Sequence, residues 1–244
     1  MKKLNCIFIN FTIFFIFVCN NSLIAQAQQT IITVPSSEVL PAGDLIFKGS
    51  NRYMPLDGYA GITPSATIGI GRGIELSTGV ATSIEDSTIV RGDIAAKKVW
   101  FLGSATRLTV GGMLSPYLNE RAHPDSFVYS HVSQRIKKTK TSLTAGVYVN
   151  GGNRLPDRTG ALFGIEQVII PNKLRLVFDW LSTDDSYGRM GVGIKYRPIP
   201  TVSITSAVIV PNKDSDNIAF NVSISKFISL DDENPIKRRL LNVD

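Results

Sequence analysis

Apolar and polar side chains alternate along most of the chain from residue 43 to residue 228, and no other feature restricts its fold so strongly. From Ile218 to Ser225 the even-numbered residues are large and apolar, and the residues between them are small or polar. Residues 174–180 repeat this pattern. Because successive side chains of a strand point to opposite faces, each segment predicts a strand with one apolar face. That face points inward in a soluble sandwich or barrel and toward lipid in a membrane barrel.

Strand length and connection length favour the membrane barrel. Turn residues divide the chain into twelve predicted strands: 43–50, 64–71, 74–82, 88–101, 105–115, 125–137, 141–150, 159–170, 173–182, 188–198, 202–210 and 218–228. Strands of membrane barrels have about 9–11 residues and those of globular proteins about 5 or 6. Short and long connections alternate here, as in outer-membrane barrels. The sequence therefore predicts an all-β fold, an antiparallel transmembrane β-barrel of about 12 strands over residues 43–228.

The two ends of the chain lie outside this pattern. Residues 1–27 begin with a basic stretch, continue with an apolar run too short to span a bilayer, and end in a small-x-small site, which predicts a signal peptide cleaved after residue 27. Both cysteines, Cys6 and Cys19, would leave with it. Residues 28–42 are predicted to be a periplasmic N-terminal segment, and residues 229–244 a periplasmic C-terminal tail.

Two stretches carry a resemblance to a known class of protein. Val34-Pro35-Ser36 and the run 39–43, which enters the first strand, are similar to the start of bacterial outer-membrane porin-like barrels, including the YjbH-like barrels associated with exopolysaccharide secretion. Asp179-Trp180 and the glycines that follow resemble a late hairpin of such proteins. The resemblance implies a location in the cell outer membrane, with outer-membrane lipid and the barrel-assembly machinery as partners. The terminal aromatic residue of such barrels would correspond to Phe227, which is followed here by a tail.

Charged side chains on the predicted inner face indicate a polar lumen, because they would be costly against lipid. The nine candidates for lining it are Glu75, Asp93, Lys97, Arg107, Glu166, Arg175, Asp179, Arg189 and Lys195. Glu166, Arg175, Asp179 and Arg189 lie on three consecutive strands and form either a cross-strand ionic ladder that supports the wall or a selectivity constriction. Twelve strands leave room for a narrow or gated pore.

Catalytic and metal sites have weak support in the sequence. His131 and Ser133, two residues apart on one strand, resemble the His-x-Ser arrangement of outer-membrane lipid hydrolases, but Gln134 stands where those families have Asn. The alternative is that both side chains belong to a polar wall without a catalytic role. With two histidines in the chain and no cysteine after residue 27, a zinc site is not expected, and we predict no cofactor and no enzymatic activity. The small excess of basic residues, 26 against 20 acidic, gives little support for nucleic-acid binding.

The sequence thus predicts porin-like passage of small polar solutes across the outer membrane, with lumen charges giving a weak preference for anions. The second interpretation is a structural or secretion-accessory barrel with a plugged lumen that binds a polysaccharide-export or envelope partner. The basic and apolar residues 236–241 either dock on that partner or are disordered. A lipid hydrolase is the third interpretation and a soluble sandwich the fourth.

Overall fold

The structure, a computed structural model, describes residues 29–55, 59–83, 90–118, 123–152, 158–184, 188–213 and 218–229. The predicted signal peptide and nearly all of the predicted tail lie outside these residues. Twelve strands follow one another along the chain: β1 (Asp44–Met54), β2 (Tyr59–Gly71), β3 (Ile74–Ser83), β4 (Val90–Phe101), β5 (Thr106–Ser115), β6 (Asp125–Ile136), β7 (Thr141–Gly151), β8 (Arg158–Ile170), β9 (Leu174–Leu181), β10 (Arg189–Ile199), β11 (Val202–Pro211) and β12 (Ala219–Ser229).

The strands form one closed antiparallel barrel. Each strand pairs with its neighbours in sequence, and β1 closes the sheet against β12, in a register that runs from Asp44 opposite Ser229 to Tyr53 opposite Phe220. Closure leaves no free sheet edge. This architecture confirms the twelve-stranded barrel that the alternation predicts.

Among the described residues there is no helix that is both long enough and apolar enough to cross a bilayer.

The two faces of the barrel wall differ in the way that the alternation predicts. On the outer face large apolar side chains are exposed, among them Ile94 at 65%, Val147 at 58% and Val192 at 53%. The residues between them point inward, and carboxylates such as Asp93 and Asp179 are fully buried there. A continuous apolar outer surface is unfavourable in water and suits contact with lipid, so a soluble sandwich is wrong.

The first two strands are longer than predicted. The turn-forming residues between 51 and 63 predict a long loop, but β1 continues to Met54 and β2 begins at Tyr59. Pro64 lies within β2, opposite Gly49 of β1, and the ladder between β2 and β3 has no paired residues at positions 63 and 64. Proline lacks an N–H group, so it interrupts the pairing on one side without ending the strand.

The connections define two ends of the barrel. At one end, which we call the turn end, the connections are residues 72–73, 102–105, 137–140, 171–173 and 200–201. At Arg72 and Gly73 φ is 51° and 77°, as the two central residues of a type I′ hairpin turn require. The longer connections lie at the opposite end, which we call the loop end. In outer-membrane barrels the short turns face the periplasm.

Candidate functional site in the barrel lumen

Residues 29–42 lie inside the barrel, and we call them the inner hairpin. Thr30 pairs with Pro35, and the Ile31 N–H donates to the Val34 carbonyl oxygen at 2.8 Å, so the segment folds back on itself. Its residues contact inward-pointing side chains of β3, β4, β5, β6, β9 and β10. The sequence analysis assigns residues 28–42 to the periplasm. The structure instead places residues 29–42 in the lumen, because wall side chains bind the polar groups of residues 29–40.

A single buried carboxylate binds the tip of the inner hairpin. The backbone N–H groups of Ile32, Thr33 and Val34 all donate to Asp179 Oδ2, at 2.8, 2.5 and 2.8 Å, and the Thr33 hydroxyl donates to Oδ1 at 3.1 Å. Asp179 lies on β9 and is fully buried. Backbone donors that leave water need an acceptor, and an ionised carboxylate accepts more strongly than a neutral group. Asp179 therefore fixes the tip within the lumen.

Apolar contacts surround the same tip. Ile31, Ile32 and Val34 are buried in a cluster formed by inward-facing residues of the wall. The wall contributes Phe127, Tyr129, Tyr148, Leu162, Val177, Leu181, Ala207, Ile209 and Ala219. Burying an aliphatic side chain contributes about 1.5–3 kcal/mol, so the three tip residues add several kcal/mol to docking. The tip and the cluster pack together in the part of the lumen toward the loop end.

A buried ion pair holds both arms of the inner hairpin near the turn end. Glu75 Oε1 accepts from the Gln29 side chain at 2.6 Å and from the Leu40 N–H at 2.5 Å. Its other oxygen lies 3.0 Å from Lys97 Nζ, which also donates to the carbonyl oxygens of Ser36 and Glu38 at 3.1 and 2.5 Å. These charges are shielded from water and are neutralised by each other and by the hairpin backbone.

The histidine and serine of the hydrolase hypothesis belong to a hydroxyl cluster that faces the hairpin. The Ser37 hydroxyl donates to Ser133 Oγ at 2.7 Å and lies 2.8 Å from Thr109 Oγ1. His131 Nδ1 is 3.4 Å from Ser133 Oγ, a long contact, and within the described residues no group hydrogen-bonds its Nε2. His131 and Ser133 are 2% and 8% exposed. A lipid on the outer surface cannot reach either side chain.

Glu38 makes a more open set of ion pairs on the returning arm of the hairpin. Its Oε1 lies 2.8 Å from Arg175 Nη1, and its Oε2 lies 3.6 Å from Lys195 Nζ. Attraction by Lys195, reinforced by Arg175, holds the pKa of the Glu38 carboxyl well below its usual value although burial acts in the opposite direction. About a third of the Glu38 and Arg175 side chains remains exposed, in contrast to Lys97 and Glu75.

A cavity of about 580 Å³ lies beside the hairpin, along β1, β10, β11 and β12. It reaches from residues at the turn end, such as Arg135 and Pro200, as far as Thr205 and Asn221. Its cationic lining residues are Lys48, Arg107, Arg135, Arg175, Lys195 and Arg197, and its acidic ones Glu38 and Asp44. Phe227 also faces it. We call this cavity the vestibule; its lining is strongly cationic and opens toward the turn end.

The nine side chains proposed from the sequence to line the lumen divide into two groups. Six contact the inner hairpin: Glu75, Lys97, Arg107, Arg175, Asp179 and Lys195. The other three are described with the wall itself. Glu166 lies 3.4 Å from Arg175, and Asp93 lies 3.4 Å from Arg91. Arg189 is buried at the loop end. Of the proposed ladder, the described contacts include the pair between Glu166 and Arg175, whereas the Asp179 carboxylate binds the hairpin.

The sequence analysis overlooked Ser37 and Glu38 as parts of the site. The available signal is the run from Ile31 to Val34, whose apolar side chains lie outside every predicted strand and need burial. No group of three or more His, Cys, Asp or Glu in the described ranges is arranged to hold a metal ion.

Comparisons with known proteins show that the chain shares its fold with solved structures. No protein-family model matches the chain, and no curated protein matches its sequence. The structure is similar to the KdgM porin, with a TM-score of 0.54 and 11% identity over 74% of this chain and 98% of that one. It is similar to the COG4313 outer membrane channel from Pseudomonas putida F1, with a TM-score of 0.54 and 10% identity over 79% and 98%. The chain has the fold of bacterial outer-membrane porin-like barrels. The finer likeness to YjbH-like barrels has no support in these neighbours.

Proposed function

We propose that the protein is an outer-membrane channel for small polar solutes, with a preference for anions, and that the inner hairpin is its gate. The observation that carries the proposal is the vestibule, in which six cationic side chains face two acidic ones beside the hairpin. Rings of like charge set the ion preference of barrel pores. The lipid-facing outer surface and the fold support a location in the outer membrane.

The hairpin has the properties of a gate because it lies outside the barrel strands and, besides its apolar tip, is held by many polar groups. Beyond the apolar tip the hairpin buries the Leu40 side chain and makes hydrogen bonds and ion pairs to the wall, and water can replace these polar contacts when the segment leaves. The lining of the vestibule contains none of the residues of the apolar cluster on the wall. Solutes therefore reach the loop end only after the tip has moved.

Single-channel conductance in planar bilayers tests the proposal. Wild type is compared with a variant lacking residues 29–42 and with Asp179→Asn, which keeps the full chain. We expect brief current steps from wild type, longer or larger steps from both variants, and a reversal potential in a salt gradient that shows anion preference. Heat-modifiable electrophoretic mobility checks that each barrel is folded. Folded variants that insert into the bilayer and pass no current would contradict the channel.

The closed lumen also favours a second candidate, a structural or secretion-accessory barrel with a permanent plug. It would bind a polysaccharide-export or envelope partner outside the lumen, and residues 231–244 are then the segment to delete. A folded barrel that never conducts, together with loss of a co-purifying partner on that deletion, would favour this candidate over the channel.

Enzymatic activity has the least support. His131 and Ser133 are buried and face the hairpin on the inner side of the wall, so we propose that they act as anchors for Ser37. Ser133→Ala provides the test: lipid hydrolysis by the purified protein that is abolished by this substitution would establish the hydrolase.

A further inference from the structure

Glu38 is the hairpin side chain that makes ion pairs facing the vestibule. Its carboxylate lies between Arg175 and Lys195, and about a third of Glu38 and of Arg175 is open to the cavity. The other hairpin-holding ion pair, Lys97 with Glu75, is sealed at 0% and 1% exposure. A dissolved anion in the vestibule can therefore approach the first pair and is kept from the second.

The vestibule holds more positive charge than Glu38 neutralises. Arg107 donates to the Ser37 carbonyl oxygen, and the Lys48 ammonium donates a long hydrogen bond of 3.4 Å to Thr30 Oγ1. Arg135 and Arg197 line the same cavity. The other acidic lining residue, Asp44, accepts a hydrogen bond from the Ser229 hydroxyl at 2.6 Å. An anion with more than one carboxylate would gain ion pairs that the single Glu38 carboxylate cannot make.

We propose that Arg175 and Lys195 form a binding site for carboxylate-bearing solutes, that Glu38 occupies this site as a tethered stand-in, and that an entering solute displaces Glu38 and releases the hairpin. The inference rests on the proposed channel function and names its solute class and its trigger. Glu38 lies on the arm that also carries Ser36 and Ser37, so its displacement removes an anchor of that whole arm. A solute that binds the released state more tightly shifts the equilibrium toward release.

Carboxylate binding and release of the hairpin must favour each other by the same factor, and this sets the size of the expected effect. If a carboxylate favours release, release must in turn raise its affinity by the same factor, and couplings of this kind amount to about 5–150-fold. A vestibule of about 580 Å³ is within the size range of small-molecule pockets, so citrate is a suitable probe. Neutral solutes have no group that competes with Glu38 and should leave the hairpin docked.

A thiol on the hairpin reports its release directly. Ser36 is 3% exposed, and its hydroxyl has no hydrogen-bond partner among the described residues, so Ser36→Cys changes few contacts. The reporter is made in the full chain with Cys6 and Cys19 replaced by serine, and labelling by a water-soluble maleimide is timed in detergent. We expect citrate to raise the labelling rate at least about 10-fold, saturably, at constant ionic strength.

Glu38→Gln, Arg175→Gln and two other anions supply the comparisons. Glu38→Gln should label fast without citrate and change less than twofold with it, and Arg175→Gln should lose the citrate response. Phosphate and chloride at the same ionic strength should have little effect. An equal response to all three anions would overturn the proposal, and so would a citrate response that survives in both variants. The proposal would also fail if the Ser36→Cys reporter without a second substitution labels slowly and citrate does not change its labelling rate.

Conductance separates failure of this inference from failure of the channel. A deletion variant that conducts, together with a reporter that ignores citrate, would refute the Glu38 site and leave the channel standing. A citrate-sensitive reporter in a barrel that never conducts would retain the site and refute the channel.

Discussion

Asp179→Asn is the substitution for which the structure makes the sharpest prediction. The carboxylate accepts three backbone N–H groups of the hairpin tip on one oxygen, at 2.5–2.8 Å. Asparagine keeps the shape and one acceptor oxygen and loses the charge. A hydrogen bond to a charged group contributes about 1.5–3 kcal/mol, and one between neutral groups about 0.5–1.5. The loss is thus about 1 kcal/mol for each bond.

The predicted change in docking free energy is about 2–3 kcal/mol. Three bonds give the upper figure, and the smaller desolvation cost of a neutral amide lowers it. The ratio of docked to released hairpin should therefore fall about 30-fold to 150-fold, since 1.4 kcal/mol corresponds to a factor of ten. The barrel itself should stay intact, because its strands remain paired on both sides.

Limited proteolysis with a glutamate-specific protease measures the ratio of docked to released hairpin. A glutamate-specific protease cleaves after Glu38 only when the hairpin is released, and mass spectrometry identifies the shortened barrel that begins at Val39. When opening is fast compared with cleavage, the rate follows the released population. Asp93→Asn is the matched control, because Asp93 is equally buried and contacts Ser115 and Arg91 of the wall. Equal cleavage rates in wild type and Asp179→Asn, or equal acceleration in both variants, would refute the assignment of Asp179 as the tip anchor.

Three further predictions concern other anchors of the hairpin. Ser37→Cys with Ser133→Cys, whose hydroxyls are 2.7 Å apart, should form a disulfide that suppresses current steps until a reductant is added; oxidised protein that conducts normally would contradict the gate. Because the pKa of Glu38 is held well below its usual value, its ion pairs should persist from pH 8 to pH 5. Their contribution should decline only at pH values below the ordinary glutamate pKa of about 4.3, so open probability should rise in that acidic range in wild type and less in Glu38→Gln. Lys97→Met should destabilise the folded protein by about 3–5 kcal/mol in denaturant titration, because Glu75 is left buried without its partner. Adding Glu75→Gln should restore part of this loss. If the effects of the two substitutions are simply additive in the double variant, the pair is not coupled.

The barrel could be predicted from the sequence because its determinants are local. A strand with one lipid face and one lumen face shows its period within about ten residues, and Phe220, Val222 and Ile224 of β12 display it directly. The strand ends near Met54 and Tyr59 were missed, because Pro64 and the glycines around it resemble a loop while the pairing to β1 continues past them. Pairing between strands decided those boundaries, and the local composition did not.

The inner hairpin could not be placed from the sequence because its partners are distant. The Ile32 N–H and Asp179 are 147 positions apart, and the Gln29 and Glu75 side chains 46. No local period marks residues 29–42, and their polar groups are satisfied by wall side chains that the sequence shows only as inward-facing. The alternation predicts that charged side chains such as Asp179 point inward, but their assignment to an ionic ladder or to a bound segment depended on knowing what enters the lumen.

The chemistry of the wall explains why a segment bound so extensively can still be released. Lys97 and Asp179 bind backbone carbonyl and N–H groups of the hairpin, and Arg107 binds another carbonyl. Water can take the place of each of these backbone partners, so the wall charges keep hydrogen-bond partners in a hydrated lumen. An apolar wall would gain nothing from water and would hold an apolar plug permanently. The buried charges thus make the open state accessible, and the apolar tip, with Asp179, sets how rarely it is reached.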